Sequence, residues 1–189
     1  MEGLIWVHEN LHGIKWLDAL AKIITFLGDF GLFWILLAVI LFCFKKTRIS
    51  AVVMAISLAC GYMFNDVLLK NIIMRPRPFY ENESFKDYLI SMGLDLPIGY
   101  SFPSGHAFSS FNCAVILMLF NKKLGYVALP MATLIALSRP YICVHYPTDI
   151  LVGSILGSLF AVCMFAVYKF VMKKLKNRYR NKIREDMNV

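Results

Sequence analysis

Residues 138–171 read SRPYICVHYPTDILVGSILGSLFAVCMFAVYKFV. The second part, from about Asp149 to Val171, is apolar and long enough to cross a bilayer core, which takes ~20 residues of helix. Within it Gly153, Ser154, Gly157 and Ser158 make a small-residue face, a surface on which membrane helices approach closely. The first part places Arg139, His145 and Asp149 at the edge of that span. Arg139 keeps its charge at any working pH and can grip a phosphate with two parallel N–H groups. His145 suits a nucleophile or an acid–base group near neutral pH. Asp149 follows four residues later, one helical turn on, where a carboxylate can hold one ring nitrogen and leave the other free. A polar loop between two membrane helices is the plainer reading of the same residues.

Composition sets the class. The 189 residues are 59% hydrophobic and 14% aromatic, with a mean hydropathy of +0.62. Charged residues make up 17%, against about 25% in ordinary domains. So much apolar side chain exceeds what one small soluble domain can bury, so a single polytopic all-α membrane bundle is expected. The net charge of +8 does not point to nucleic acid, because no basic face interleaves with aromatics. Cys43, Cys60, Cys113, Cys143 and Cys163 form no CxxC pair and no metal-ligand spacing. Four lie inside apolar runs as small hydrophobes; Cys143 lies near the candidate site, where packing is still the simpler role. The opening MEGLIWVHENLHG lacks a basic n-region and carries Glu2 and Glu9, so a cleaved signal peptide is not expected.

Five spans are expected, at about 30–44, 49–74, 105–120, 124–137 and 149–171, the first of them short. Residues 1–29 mix apolar positions with Glu9, Lys15, Asp18 and Lys22 and predict one or two interfacial amphipathic helices. Residues 30–172 form the membrane core, and 173–189 a basic tail, as a solvated helix or frayed end. With five spans, the Lys45/Lys46/Arg48 turn, the Lys122/Lys123 turn and the tail share one side. That side holds thirteen of the twenty Lys and Arg residues and two of the twelve acids, which makes it cytoplasmic. The opposite, outer side holds the 75–102 loop, the start of the third span and His145.

Two further motifs fall on that outer side. In KNIIMRPRP, Lys70 and Arg77 are seven residues apart, two helical turns, and two cations on one face suit a multiply charged anion. The plainer reading is snorkelling and nonspecific lipid-phosphate binding by Lys70, Arg75 and Arg77. In YSFPSGH, Ser104 and Gly105 open a helix whose free N–H groups and dipole can cradle an anion, with His106 beside it. A plain serine cap with an interfacial histidine competes there. Asp66, one turn before Lys70, suits either an ion pair steering the lysine or a polar helix contact. His8 and His12, four residues apart, read as interfacial polar residues. Together the three motifs supply charge clamps, an anion nest, a nucleophile and a general acid. A zinc site wants three or four ligands without so many cations nearby, so neither a metal nor another cofactor is expected.

In these motifs the chain resembles the type 2 phosphatidic acid phosphatases, membrane lipid phosphatases whose fold is related to the vanadium haloperoxidases. Lys70-x6-Arg77-Pro78, Pro103-Ser104-Gly105-His106 and Ser138-Arg139-x5-His145-x3-Asp149 match the family's pattern in order, across roughly residues 15–172. The resemblance implies that His145 attacks phosphorus and forms a phosphohistidine. Asp149 then orients His145, and His106 protonates the leaving oxygen. Lys70, Arg77, Ser104, Gly105 and Arg139 hold the phosphate oxygens. Many members have six spans, and here an extra N-terminal one is missing.

The expected function is metal-independent hydrolysis of a lipid phosphate or diphosphate at the outer face of the cell membrane. Undecaprenyl diphosphate, phosphatidylglycerol phosphate and phosphatidic acid all fit, and the compact chain resembles bacterial carrier-recycling members. The expected partners are the lipid substrate and the surrounding membrane lipids, with no nucleic acid and no obligatory protein. A noncatalytic lipid-binding or transport protein of the same fold is the alternative, against which an intact nucleophile speaks. A vanadate-dependent oxidant-generating enzyme is a second, weakened because such relatives are soluble.

Overall fold

The computed structural model describes residues 1–187; helices and the turns and loops that join them make up these residues, with no strand among them. Helix α1 (Glu2–Asn10) precedes α2 (Lys15–Gly28), which buries Ala21, Thr25 and Gly28 and exposes Trp16, Ile23 and Phe26. This two-faced pattern is the expected one. The chain does not turn away after α2, however. A 3₁₀ turn at Asp29–Gly31, with Phe30 (φ 53) and Gly31 (φ 69) in the left-handed region, leads directly into α3 (Leu32–Cys43). The apolar stretch therefore runs unbroken by any loop over 29 residues, Lys15–Cys43. At about 1.5 Å per residue this exceeds a bilayer core in length.

Helix α4 (Arg48–Tyr62) passes through a π-helical turn at Met63–Leu69 into α5 (Lys70–Ile73). The turn contains Asn65 and Asp66, polar groups deep in an apolar helix, and π-turns are common at functional sites. Met74 ends α5 in the left-handed region, and α6 (Pro78–Glu81) starts on the second proline of RPRP. Lys70 and Arg77 are thus not on one helix, contrary to the two-turn expectation, because the two prolines stop it. Helix α7 (Glu83–Ser91), capped by Asn82 accepting from the Ser84 N–H at 3.0 Å, buries Phe85 and Leu89 together with Leu4, Phe79 and Val144.

Helices α8 (Gly105–Phe120), α9 (Lys122–Tyr141) and α10 (Pro147–Met187) form the centre. Helix α8 is the middle one, packed against α4, α9 and α10. Ser57 Oγ donates to Asn112 Oδ1 at 2.7 Å, and Trp34 Nε1 donates to Ser110 Oγ at 3.0 Å. Such polar cross-links join helices where lipid offers no hydrophobic drive. The small-residue face of α10 meets α8: a Cβ on Gly153 would lie 2.8 Å from the Ser104 carbonyl oxygen, and one on Gly157 would run into the Phe108 backbone. Helices stand at all five expected spans. Lys15–Cys43, Arg48–Glu81 and Pro147–Ile183 are long and apolar enough to cross, and α8 is a shorter apolar helix. The tail to Met187 continues α10 as helix; residues 188 and 189 of the expected 173–189 tail lie outside the described residues.

His8 and His12 are more than interfacial polar residues. Their Nδ1 atoms are 2.7 Å apart, and His12 Nε2 donates to the Tyr141 carbonyl at 2.6 Å. Asp18 accepts from the Tyr88 and Tyr141 hydroxyls at 2.6 and 2.5 Å. This knot ties α1, α2 and α7 to the end of α9, just before the loop that carries His145.

Candidate active site

The loop 142–146 between α9 and α10 is short and closed by backbone bonds: Cys143 N–H to Pro140 and Val144 N–H to Arg139 carbonyls, at 3.1 and 3.2 Å. Cys143 takes a left-handed φ of 55. This turns His145 inwards, where it is 2% exposed, so it is not the edge residue its place beside a loop suggests. Burial first, and then the charges of Arg77, Arg139 and Lys70, hold its imidazole well below the ordinary histidine range, so the ring is neutral at pH 7. Arg77 Nη1 lies 3.4 Å from His145 Nε2. A guanidinium only donates, so Nε2 carries the lone pair and the ring proton sits on Nδ1. Nδ1 faces Asp149 Oδ2 at 3.5 Å, longer than an ordinary hydrogen bond.

Asp149 is fully buried in the first turn of α10. Its Oδ2 accepts from the Tyr146 N–H at 2.9 Å, the reach-back of a capping box. Its Oδ1 accepts from Arg75 Nη1 at 2.7 Å. Arg75 also donates to the Thr148 hydroxyl at 2.8 Å and lies over the Tyr146 ring, 3.8 Å from its centre. The first arginine of RPRP therefore serves Asp149, whereas the sequence suggested only lipid binding.

The second arginine, Arg77, is buried and held by the carbonyls of Gly99 (3.0 Å from Nε) and Val144 (3.2 Å from Nη1). Lys70 is ion-paired with Asp66, so of the two roles open to that acid the ion pair is present. Arg139 is buried, donates through Nη1 to the Thr25 hydroxyl, and stands 3.8 Å from Asp29 Oδ1. Its Nε is buried without a hydrogen-bond partner among the described residues. Ser104 caps α8, its Oγ accepting from the Ala107 N–H at 3.4 Å, and its own N–H donates to the Asp149 carbonyl at 3.1 Å. This last bond locks the starts of α8 and α10 together. At Gly105 a Cβ would come within 2.6 Å of Asp66 Oδ1, so a side chain there would have to push the Asp66 carboxylate aside. His106 Nε2 lies 3.0 Å from Asp29 Oδ1.

Lys70, Arg77, Gly105, His106, Arg139 and His145 line one cavity of about 1500 Å³. Ser104 and Asp149 stand behind its wall. Away from the charges the same cavity continues between α3 and α4 past Trp34, Ala38, Met54, Ala55 and Leu58, where it is apolar. It joins a cluster of cations around a neutral, lone-pair-bearing imidazole to an oily channel, which suits a phosphate with a hydrocarbon tail. Cys143 is a protonated thiol, pushed up to about 12 by burial, and does not compete as a nucleophile. Asp29, Thr25 and Arg75 belong to this site and were not singled out as site residues from sequence. Asp29 showed there only as a break in an apolar pattern.

The PAP2 superfamily model matches residues 46–173. An undecaprenyl-diphosphatase of Sulfolobus acidocaldarius is 33% identical over 139 residues, 72% of this chain and 65% of that protein, so the chain spans just under two thirds of it. Phosphatidylglycerophosphatase B of Bacillus subtilis is 29% identical over 191 residues, 94% of this chain and 80% of that protein. The crystal structure of a transmembrane PAP2-type phosphatidylglycerolphosphate phosphatase from Bacillus subtilis superposes with a TM-score of 0.66 at 25% identity, covering 90% of this chain and 86% of that one.

Proposed function

This chain belongs to the PAP2 superfamily, and from that premise we propose that it hydrolyses a lipid phosphate or diphosphate through a phosphohistidine, at the outer face of the membrane. The observation that carries the proposal is the shared cavity: Lys70, Arg77 and Arg139, two histidines and an apolar channel open into one space. Lys70, Arg77, Arg139 and the first N–H groups of α8 hold the phosphate oxygens, the buried Arg139 Nε among them. Ser104 adds its hydroxyl hydrogen from behind. His145 Nε2 attacks phosphorus while Asp149 balances the charge that develops on the ring. As the bond to the leaving oxygen breaks, His106 gives that oxygen a proton. Water then attacks the phosphohistidine, His106 takes its proton, and inorganic phosphate leaves.

The substrates of the relatives, an undecaprenyl diphosphate and a phosphatidylglycerol phosphate by their names, mark the range to be tried. The outer placement rests on the thirteen basic residues grouped at the ends of the helices opposite the site. Purified protein is expected to release phosphate from at least one of undecaprenyl diphosphate, phosphatidylglycerol phosphate and phosphatidic acid without added metal. No release from any of them by folded protein overturns the proposal.

A further inference from the structure

We infer that Asp29 is a positioning residue for His106: its carboxylate holds the Nε2–H of the ring and turns Nδ1 towards the phosphate. The same negative charge stabilises the protonated ring that serves the leaving oxygen. This rests on the phosphatase function proposed above and adds a residue that none of the three motifs contains. It lies outside the 46–173 region matched by the family model.

The geometry is specific. Asp29 Oδ1 is 3.0 Å from His106 Nε2 and 3.8 Å from Arg139 Nη1. It is aimed there by the left-handed pair Phe30 and Gly31, which ends α2 and starts α3. Gly28 makes room for the ring: a Cβ there would stand 3.1 Å from Nε2 and closer still to the ring carbon beside it. One turn earlier on the same face, Thr25 receives Arg139. Thr25, Gly28 and Asp29 all line the cavity, so the end of α2 forms part of its wall.

The result is a second histidine–carboxylate pair with the opposite ring nitrogen engaged. His145 offers Nδ1 to Asp149 and keeps Nε2 for phosphorus. His106 offers Nε2 to Asp29 and keeps Nδ1 for the leaving oxygen. In the first step the protonated ring gives its Nδ1 proton to that oxygen as the oxygen's bond to phosphorus breaks, and the ring is left neutral with Nε2–H on Asp29. In the second step Nδ1 recovers a proton from the attacking water.

The test compares Asp29→Asn, which removes the charge and keeps the shape, with wild type on two monoesters. Phosphatidic acid has a poor alkoxide leaving group; p-nitrophenyl phosphate has a good one. A general acid contributes about 10²–10⁴-fold where the leaving group needs it. The expected loss in kcat is therefore about 10²-fold on phosphatidic acid and a few-fold on the aryl ester, with Asp29→Glu recovering part of it. The alkaline limb of kcat/KM on phosphatidic acid moves to lower pH in Asp29→Asn, because the protonated ring has lost its counter-charge.

Ring ¹⁵N shifts of the four histidines at alkaline pH report the neutral tautomer without any turnover. Wild type is expected to hold His106 as Nε2–H, and Asp29→Ala to release it to a mixture. Equal losses on both esters with an unmoved alkaline limb, or a His106 tautomer unchanged in Asp29→Ala, overturn the inference. If wild type turns over neither ester nor any lipid phosphate, the function proposed above falls, while the tautomer still decides the Asp29 pairing.

Discussion

His145 carries no proton on Nε2 because Arg77 Nη1 points at it from 3.4 Å and burial disfavours a charged ring. A consequence is a wide working range on the acid side. Protonation would remove the lone pair, and the folded ring takes up a proton only well below 6.5. The acid limb of kcat/KM, which reports the free enzyme, should therefore lie below pH 6.5. Measured between about pH 5 and 8, a limb at or above the ordinary histidine value of ~6.5 contradicts this. His145→Gln should lower kcat by about 10³-fold or more, with the melting temperature little changed, since it nearly keeps the buried volume. The spacing of the three motifs in the sequence singled out His145, His106, Lys70, Arg77 and Arg139, which line one cavity, and Asp149 beside it. Asp29 and Thr25 were not: their partners lie 77 and 114 residues away, and a lone carboxylate near a glycine reads as a helix break.

Helices α8 and α10 start at one level because Ser104 N–H binds the Asp149 carbonyl and glycine faces let the backbones touch. Gly157 has no room for a side chain against Phe108. Gly157→Val should cost about 2–3 kcal/mol by overpacking, read as a lower melting temperature in detergent, and should also depress activity by parting Ser104 from Asp149. Gly3→Ala, with nothing within 4 Å of the added carbon, is the neutral control. The small-residue face was legible from its spacing in residues 153–158. Placing Lys70 and Arg77 on one helix was a misreading: helical periodicity was carried past Met74, where the proline-bounded arginines take over. The π-turn at Met63–Leu69 has no pattern in the sequence beyond polar residues in an apolar run.

The molecule as a whole joins a charged pocket to an oily channel between α3 and α4, so substrate binding should divide between headgroup and tail. Ala55 lines the channel far from the charges. Ala55→Phe should raise KM for a long-tailed phosphate by about tenfold while leaving kcat/KM for a short, soluble phosphate within about twofold. That follows because ~1.4 kcal/mol of apolar contact is a factor of ten. An equal effect on both substrates would mean that the channel does not hold the tail. The all-helical membrane bundle, the helices at the five expected spans and the three motifs followed from residue order alone, because apolar run length and short spacings are local properties of a chain. Folding in three dimensions decided the rest. It brought the end of α2 against α8 and α9, gave Arg75 to Asp149, and buried His145 so that it stays neutral. Those outcomes depend on desolvation and on distances between residues remote in the chain, neither of which is written in any short stretch of it.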